Sequence, residues 1–240
     1  MKLWVCENIE EFSTVASDLI FNSIAHKKAA ICLPTGSTPI PVYKKLVDKM
    51  QDPTVFSDVK FFNLDEYAGL DPIHHQSYAF FLHEHLYSKI PVRSDQLFLL
   101  DGSNDPIAEC RRYDQLIDDI GCYDCVVDGI GTNGHIAFNE PAEYFVLRTH
   151  ISDIADSTLQ ANRRFFSDDE IMPQQALTLG FEDIMKAKKV ILLATGKGKR
   201  EVIRRFLTDK KITTQFPISL LNMHPDLTLI IDRDAYTEED

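Results

Sequence analysis

The 240-residue sequence has little positive charge: 25 Lys and Arg residues stand against 37 Asp and Glu residues, a formal net charge of −12. A nucleic-acid-binding protein normally has a basic face, so we expect no nucleic-acid partner. An anionic membrane surface is not expected as a partner for the same reason. An anionic ligand would therefore have to be held by a few local groups rather than by the overall charge.

Long apolar runs and a cysteine framework are also missing. The longest uninterrupted apolar candidate, Val190–Ala194, is too short to span a bilayer. The first residues do not have the pattern of a signal peptide, and the five cysteines are an odd number outside any Cys-rich pattern. These absences predict a reduced, cytoplasmic protein in which Cys122 and Cys125 are ordinary thiols.

Short apolar runs alternate with amphipathic stretches along the chain. This pattern predicts an α/β fold with a doubly wound, mainly parallel central sheet flanked by helices, Rossmann-like, in one domain over residues 1–240. A stretch from about 141 to 175 is too polar and irregular for core, and such segments are often lids. The predicted strands are Leu3–Cys6, Ala29–Leu33, Val59–Leu64, Gln96–Leu100, Cys125–Gly129, Val190–Thr195 and Leu227–Ile231.

The segment after the second predicted strand, residues 33–39, reads Leu-Pro-Thr-Gly-Ser-Thr-Pro. Gly36 allows the backbone to approach a ligand, and Ser37 and Thr38 offer hydroxyl groups. Free N–H groups at the start of the following helix would bind an anion. An ordinary helix start with Thr38 as its N-cap fits the same residues, so the motif leaves both interpretations open.

Two adjacent carboxylates, Asp65 and Glu66, stand where the third predicted strand ends. Neighbouring carboxylates can be driven apart in pKa, so that one of them serves as a base. A solvated turn is the commoner role of an Asp-Glu pair. The pair is therefore a weak signal by itself.

Residues 129–134 have the spacing Gly-x-Gly-x-x-Gly after a strand, as in dinucleotide-binding proteins. That interpretation requires a helix opening at the third glycine, whereas Pro141 follows seven residues after Gly134 without a helical period. The segment is better described as a glycine-rich loop that presents Asn133, His135 and Glu140 together. Histidine is the side chain best suited to proton transfer near neutral pH, and a nearby carboxylate would orient it.

Basic residues occur at two further places. Lys199 lies where the strand Val190–Thr195 leads into a helix, and a cation there is unfavourable to the helix dipole unless it serves an anion. Arg163 and Arg164, in the irregular segment, are candidates to hold a phosphate, although surface solubility explains such residues equally well. No metal site is expected from the paired histidines, which lack partners with metal-ligand spacing or face apart: His74, His75, His83 and His85.

Taken together, these loops resemble the glucosamine-6-phosphate deaminase family, also called glucosamine-6-phosphate isomerase. The likeness covers nearly the whole chain in order and includes Tyr67 after the carboxylate pair. The segments that carry it are Leu-Pro-Thr-Gly-Ser-Thr-Pro, Phe-Asn-Leu-Asp-Glu-Tyr, Asn-Gly-His-Ile-Ala-Phe-Asn-Glu-Pro, Ala-Asn-Arg-Arg-Phe-Phe, Ala-Leu-Thr-Leu-Gly and Thr-Gly-Lys-Gly-Lys.

The resemblance implies conversion of glucosamine 6-phosphate and water to fructose 6-phosphate and ammonia, without a metal or an organic cofactor. His135 would assist opening of the pyranose ring, supported by Asn133 and Glu140. Asp65 would move a proton between C2 and C1, ionised at neutral pH with a pKa not far above 4. The phosphate would be held by Gly36, Ser37, Thr38, Arg164 and Lys199.

Two departures from the family pattern carry expectations of their own. Asn133 is Asp in some members; because Asn orients His135 but cannot accept a proton, we expect a shifted pH profile rather than inactivity. The region Arg148-Thr149-His150-Ile151-Ser152 differs from that of allosteric members, so we expect no activation by N-acetylglucosamine 6-phosphate and a monomer or small homo-oligomer. Residues of about 150–175 would form the lid.

Two alternatives share the fold. A 6-phosphogluconolactonase would use His135 to activate water, but Tyr67 and the Phe-Asn-Glu-Pro ending differ from the lactonase pattern. A non-catalytic sugar-phosphate sensor would need a DNA-binding segment, and only two residues precede the first predicted strand. Deamination is therefore the expected function, and a small phosphorylated amino sugar the expected partner.

Overall fold

The structure, a computed structural model, describes residues 1–167 and 170–236. All seven predicted strands are present, with ends that differ by two residues at most. The α-helices and strands of the described residues are β1 Lys2–Cys6, α1 Ile9–Ile24, β2 Ala29–Leu33, α2 Ile40–Lys49, β3 Val59–Asn63, β4 Asp65–Tyr67, α3 Tyr78–His85, β5 Leu97–Phe98, α4 Pro106–Ile120, β6 Cys125–Asp128, β7 His150–Asp153, α5 Asp156–Asn162, β8 Gln175–Thr178, α6 Phe181–Lys186, β9 Val190–Ala194, α7 Arg200–Thr208 and β10 Leu227–Asp232.

Within the described residues, a seven-stranded sheet has the order β1-β10-β9-β6-β2-β3-β5, and every pair in it is parallel. The central strands β2 and β9 are buried along their whole length, as expected for parallel strands covered by helices on both faces. β2 lies between β3 and β6, where the strand order reverses. Ligands bind at such a switch point, beyond the carboxyl ends of the strands.

Residues at the ends of α1 and α4 satisfy free backbone groups of these helices. Asn8 caps α1 by accepting a hydrogen bond from the Glu11 N–H at 3.0 Å. Gly121 is the C-cap of α4 and has a φ of 78°, a conformation that glycine adopts readily. Two apolar clusters, one on each face of the sheet, form the core of the doubly wound fold.

A second, three-stranded antiparallel sheet of order β4-β8-β7 is a feature that the sequence pattern did not predict. Its strands come from the carboxylate-pair segment and from the region described above as irregular. The expectation that residues 141–175 stay out of the core is therefore wrong: Ile154, Phe166 and Met172 are buried beneath this sheet. Each of them packs on residues distant in sequence, which a local pattern does not reveal.

None of the helices in the described parts of the chain is both long and apolar enough to cross a bilayer.

Candidate active site

A cavity of about 340 Å³ opens at the carboxyl ends of β2, β3, β6 and β9. It brings together seven of the nine predicted site residues, although they are spread over more than 160 positions of the sequence. Asn133 and Glu140 do not line the cavity but contact His135 from behind. The lining residues among those predicted are Gly36, Ser37, Thr38, Asp65, His135, Arg164 and Lys199.

The loop after β2 leads directly into the cavity. Gly36 has a φ of 92°, a conformation that side-chain-bearing residues rarely adopt. α2 begins at Ile40 with Pro39 as its N-cap, and no side chain caps it. Thr38 is therefore not the N-cap, and the ordinary-cap interpretation is wrong. The uncapped start of α2 leaves backbone N–H groups beside the cavity, as an anion site requires.

Two cations stand at the same end of the cavity. Lys199 precedes α7 and donates a hydrogen bond to the Ile130 carbonyl. Burial, with a smaller contribution from the neighbouring charge of Arg164, lowers the pKa of the Lys199 ammonium. The Arg164 guanidinium lies 4.8 Å from the centre of the Phe165 ring. Two like charges near each other, one of them buried, are favourable only when an anion lies between them.

Asp65 lies just beyond β3, and its side chain is almost fully buried in the cavity wall. Burial, together with the charges of Asp128 and Glu66, raises the pKa of its carboxyl well above the usual range. The expectation of an ordinary pKa near 4 is therefore wrong for Asp65 in these surroundings. The reason is tertiary: a carboxyl with like-charged neighbours and little water favours its neutral form.

Glu66, although adjacent, has different surroundings. Its carboxylate accepts three backbone hydrogen bonds of 2.9 Å, from the N–H groups of Tyr67, Tyr78 and Ala79. Burial outweighs these bonds and raises the pKa of Glu66 to about 7. The carboxylate thereby anchors the start of α3 to β4, and it is not among the residues that line the cavity. The pair is thus one cavity carboxyl and one structural carboxyl, rather than a solvated turn.

The glycine-rich loop after β6 holds His135 against its own backbone. No helix occurs in residues 129–149, all of which the structure describes, so the dinucleotide interpretation is excluded by the context it requires. A Cβ on Gly131 would lie 2.4 Å from the His135 ring, and Gly134, at a φ of 86°, packs as tightly on Phe216. Glycine at both positions is what allows the imidazole to lie so close to the loop.

His135, Glu140 and Asn133 form one hydrogen-bonded group. The Glu140 carboxylate lies 3.2 Å from His135 Nδ1 and accepts a 2.7 Å bond from the Asn133 amide. An ionised carboxylate beside Nδ1 favours the tautomer with hydrogen on Nδ1, which leaves Nε2 as the ring's acceptor. Asn133 acts on the ring indirectly, since its oxygen accepts from the His135 backbone N–H at 3.1 Å.

Thr158, in α5, completes this group and was not predicted. Its hydroxyl donates to Glu140 at 2.6 Å and lies 3.4 Å from His135 Nδ1. Burial would raise the pKa of Glu140, but bonds from His135, Thr158 and Asn133 bring the pKa below its usual value. No motif around Thr158 signals this role, because the contact depends on how residues 154–167 fold over the loop.

Tyr67 connects the carboxylate pair to the same overlying segment. Its hydroxyl accepts a hydrogen bond of 3.1 Å from the Asn162 amide, and its ring packs edge-on against Phe166 at 5.6 Å between centroids. Tyr78 and Phe138 complete an aromatic cluster around it. The segment that carries Thr158 and Arg164 is therefore packed against the cavity wall.

His74 and His75 have a partner that sequence spacing did not reveal. His75 Nε2 lies 2.8 Å from the Glu170 carboxylate, and the three side chains offer ligand atoms within 4.8 Å of one another. His74 Nδ1, however, accepts the Gln76 N–H at 3.1 Å, so its Nε2 carries the hydrogen in the neutral ring. An Nε2–H group suits a hydrogen bond to Glu170 better than a metal. The cluster is best described as a polar contact at the rim of the cavity, which His75 also lines.

Known proteins are similar to this chain over nearly its whole length. Residues 8–230 match the model of the family described as glucosamine-6-phosphate isomerases/6-phosphogluconolactonase. A glucosamine-6-phosphate deaminase of Geobacillus sp. (strain WCH70) is 43% identical over 98% of this chain and 94% of its own length. That of Bacillus pumilus (strain SAFR-032) is 44% identical over 95% of this chain and 96% of its own length.

Solved structures have the same architecture. A monomeric glucosamine-6-phosphate deaminase superposes with a TM-score of 0.93 at 39% identity, with 98% of each chain covered. A 6-phosphogluconolactonase from Trypanosoma cruzi superposes with a TM-score of 0.77 at 24% identity, covering 98% of this chain and 95% of its own. At that identity the lactonase shows the shared fold alone.

Proposed function

The chain belongs to the glucosamine-6-phosphate isomerase/6-phosphogluconolactonase family, and from this we propose that it converts glucosamine 6-phosphate and water to fructose 6-phosphate and ammonia. The observation that carries the proposal is the convergence of Asp65, the His135–Glu140 pair and two cations on one cavity. The relatives of 43% and 44% identity are named as deaminases over nearly their full length.

The phosphate would bind at the end of the cavity that holds Lys199 and Arg164. Backbone N–H groups at the start of α2 and the hydroxyls of Ser37 and Thr38 would donate to its oxygens. This arrangement holds a dianion by local dipoles and two cations in a chain of net charge −12. Binding energy at the phosphate would fix the sugar carbons against the opposite wall.

His135 would open the pyranose ring. With hydrogen on Nδ1 facing Glu140, its Nε2 can take the proton of the C1 hydroxyl and return it to the ring oxygen as the C1–O5 bond breaks. Glu140 would stabilise the imidazolium that exists between these two steps, as a carboxylate behind a catalytic histidine does. The product is the open-chain aldehyde.

Asp65 would carry out the aldose–ketose step. Its carboxylate takes the proton from C2, the electrons move to the C1–C2 bond, and the carbonyl oxygen becomes a hydroxyl by taking a proton from the ammonium group at C2. The same carboxyl then returns a proton to C1, which leaves an imine at C2 that water hydrolyses to the ketone and ammonia. Asp65 must be ionised to begin, and the ammonium group at C2 of the substrate is the neighbouring charge that would lower its pKa.

The test is to measure ammonia and fructose 6-phosphate released from glucosamine 6-phosphate in the same tube. Both products should appear in equal amounts, and Asp65→Asn should lower kcat by about 10³-fold or more, since an amide cannot take the C2 proton. Asp101→Asn, outside the cavity, serves as the control. If the well-folded protein releases no ammonia from glucosamine 6-phosphate but hydrolyses 6-phosphogluconolactone, the lactonase alternative replaces the proposal.

We further propose that the enzyme is a cytoplasmic monomer without allosteric activation. Its similarity to a structure described as a monomeric deaminase supports this, and so do its five free cysteines. Arg148, in the region where allosteric relatives bind their activator, is paired with three carboxylates: Asp118 at 2.8 Å, Asp114 at 3.4 Å and Asp183 at 3.6 Å. Light scattering during size exclusion, with and without N-acetylglucosamine 6-phosphate, should give one monomeric mass, and the acetylated sugar should not raise the rate.

The lid is proposed for a shorter segment than the sequence indicates. Residues 150–153 form β7, which pairs with β8 and belongs to the second sheet. Residues 154–167 carry Thr158 and Arg164 over the cavity, while positions 168 and 169 lie outside the described residues. Contacts such as Asn162 with Tyr67 would hold the segment over bound substrate and exclude water.

A further inference from the structure

Asp128 is a buried carboxyl of the cavity that the mechanism above does not use. It ends β6 with 4% of its surface exposed and lines the same cavity as Asp65. Asp65 follows β3 and Asp128 ends β6, and these two strands lie on either side of β2. Since neighbouring strands are about 4.8 Å apart, the backbones of the two strand ends are separated by about 10 Å. Cys32 pairs with Phe62 on one side and with Val126 on the other, so the three side chains lie on one face of the sheet. Side chains alternate along a strand, and Asp128, two residues after Val126, therefore points to that same face.

The two carboxyls differ in their hydrogen bonds. Asp128 accepts the Gly129 N–H at 2.7 Å through one oxygen and the Ala137 N–H at 3.0 Å through the other. These donors lie at the two ends of the loop that carries His135, so Asp128 also closes that loop. Within the parts of the chain that the structure describes, the Asp65 carboxyl receives no such bond.

We infer that Asp65 and Asp128 act as a coupled pair that carries at most one negative charge until a cationic ligand binds, and that this charge is placed on Asp128 by its two backbone donors. Two buried carboxylates beside each other repel strongly, because little water screens them. A cationic group of the ligand next to the pair would offset this repulsion and let Asp65 ionise as well. Asp128 would thus be a positioning and charge-setting residue for the base.

The charges around the pair agree with this inference. Burial raises the pKa of Asp128 to about 8 despite its two backbone hydrogen bonds, and the charge of Asp128 helps to raise that of Asp65. His135 and Lys199 line the same cavity, Lys199 at its phosphate end. The remaining titratable groups that face the pair add no cation: Cys32, Glu66, Tyr67 and Tyr78.

The consequence for substrate class rests on the proposed function. A sugar phosphate with an ammonium group at C2 brings the compensating cation, whereas a sugar phosphate with an uncharged hydroxyl at C2, such as glucose 6-phosphate, does not. With the hydroxyl-bearing ligand, Asp65 would stay protonated and could not remove the C2 proton. Asp128 would therefore favour amino sugars through charge, in addition to any fit of shape.

The direct test follows the aspartate carboxyl carbons of the ligand-free protein by NMR from pH 4 to pH 10. Asp65→Asn and Asp128→Asn identify the two signals. Asp128→Asn should lower the pKa of Asp65 by at least about one unit, because it removes the charge beside which Asp65 must ionise. Asp124→Asn is the matched control: it removes a carboxylate at the opposite end of β6 that also accepts a backbone N–H. It should leave both titrations unchanged.

An Asp65 pKa near 4 in the unmodified protein, or one that does not move in Asp128→Asn, would overturn the inference. An amide at 128 cannot accept at both of its terminal atoms, so that variant could fail to fold. The Asp65→Asn variant keeps both backbone bonds of Asp128 and should leave its titration nearly unchanged, because Asp128 ionises beside a neutral group in both proteins. A fall of the Asp128 pKa by about one unit or more in that variant would place the first charge on Asp65 and would also overturn the inference. These titrations need no substrate, so they are independent of whether the proposed reaction is correct.

Kinetics then test the role in catalysis. In Asp128→Asn the acid limb of kcat/KM for glucosamine 6-phosphate should move down by about one pH unit, because Asp65 loses its like-charged neighbour. An even fall in rate across all pH values would show that Asp128 only holds the loop, and would overturn the charge-setting role.

Discussion

The two ends of the cavity differ in how far they are assembled before a ligand arrives. Around His135, the groups bond to one another: Glu140 is held by Thr158 at 2.6 Å and by Asn133 at 2.7 Å. At the phosphate end, neither Lys199 nor Arg164 forms an ion pair with a carboxylate among the described residues. The first end therefore has the contacts that the proposed proton transfer needs, whereas in our proposal an anion completes the second. Variants at the first should therefore change kcat, and variants at the second KM.

Among the variants that compare the two ends, the largest effect is expected for Glu140→Gln, at the preorganised end. The amide no longer stabilises an imidazolium and no longer favours hydrogen on Nδ1, so kcat should fall by about 10²-fold with KM nearly unchanged. Steady-state kinetics with glucosamine 6-phosphate measure both values. Glu143→Gln, an exposed carboxylate three residues later, is the control and should behave as the unmodified enzyme. A rise in KM at constant kcat would show that Glu140 acts in substrate binding, and that the two ends of the cavity do not differ in the way described above.

Lys199→Ala tests the other end. Loss of a charged hydrogen bond to the phosphate should raise KM about 10- to 100-fold with a smaller effect on kcat. Lys197→Ala is the matched control, because Lys197 lies two residues earlier and does not line the cavity. Equal effects of the two substitutions would mean that general charge, rather than a positioned cation, holds the phosphate.

The smallest effect is expected for Thr158→Val, which keeps the shape of the side chain and removes its hydroxyl. Glu140 retains its bonds to Asn133 and His135, so kcat should fall only about five- to tenfold. Thr208→Val, which removes a hydroxyl bonded to a backbone carbonyl at the end of α7, controls for the substitution itself. No change in kcat would show that the segment of residues 154–167 does not contribute to the preorganised end.

Much of the fold was readable from the sequence because its central strands are local features. Ala29–Leu33 and Val190–Ala194 are continuous apolar runs, and such runs form parallel strands wherever helices cover both faces. The second sheet was not readable, because Asp65–Tyr67 pairs with residues more than 100 positions away. Three residues are too few to show the alternation of apolar and polar side chains that marks a strand. Their partner strand adjoins a segment in which that alternation is also weak.

The sequence by itself determined which residues could meet in the site. Carboxyl ends of parallel strands share one edge, so the loops that carry Gly36, Asp65, His135 and Lys199 had to gather there once the strands formed. Glycine at positions 131 and 134 likewise prepared the loop for a close-packed histidine.

Only the tertiary structure decided the charge states and the supporting contacts. Asp65 and Glu66 are adjacent, yet one lines the cavity and the other anchors a helix, because burial and hydrogen bonds come from elements distant in sequence. Thr158 reaches Glu140 only when the segment after β7 folds over the loop. A pKa depends on the water and charge around a group, and these exist only once the whole chain has packed.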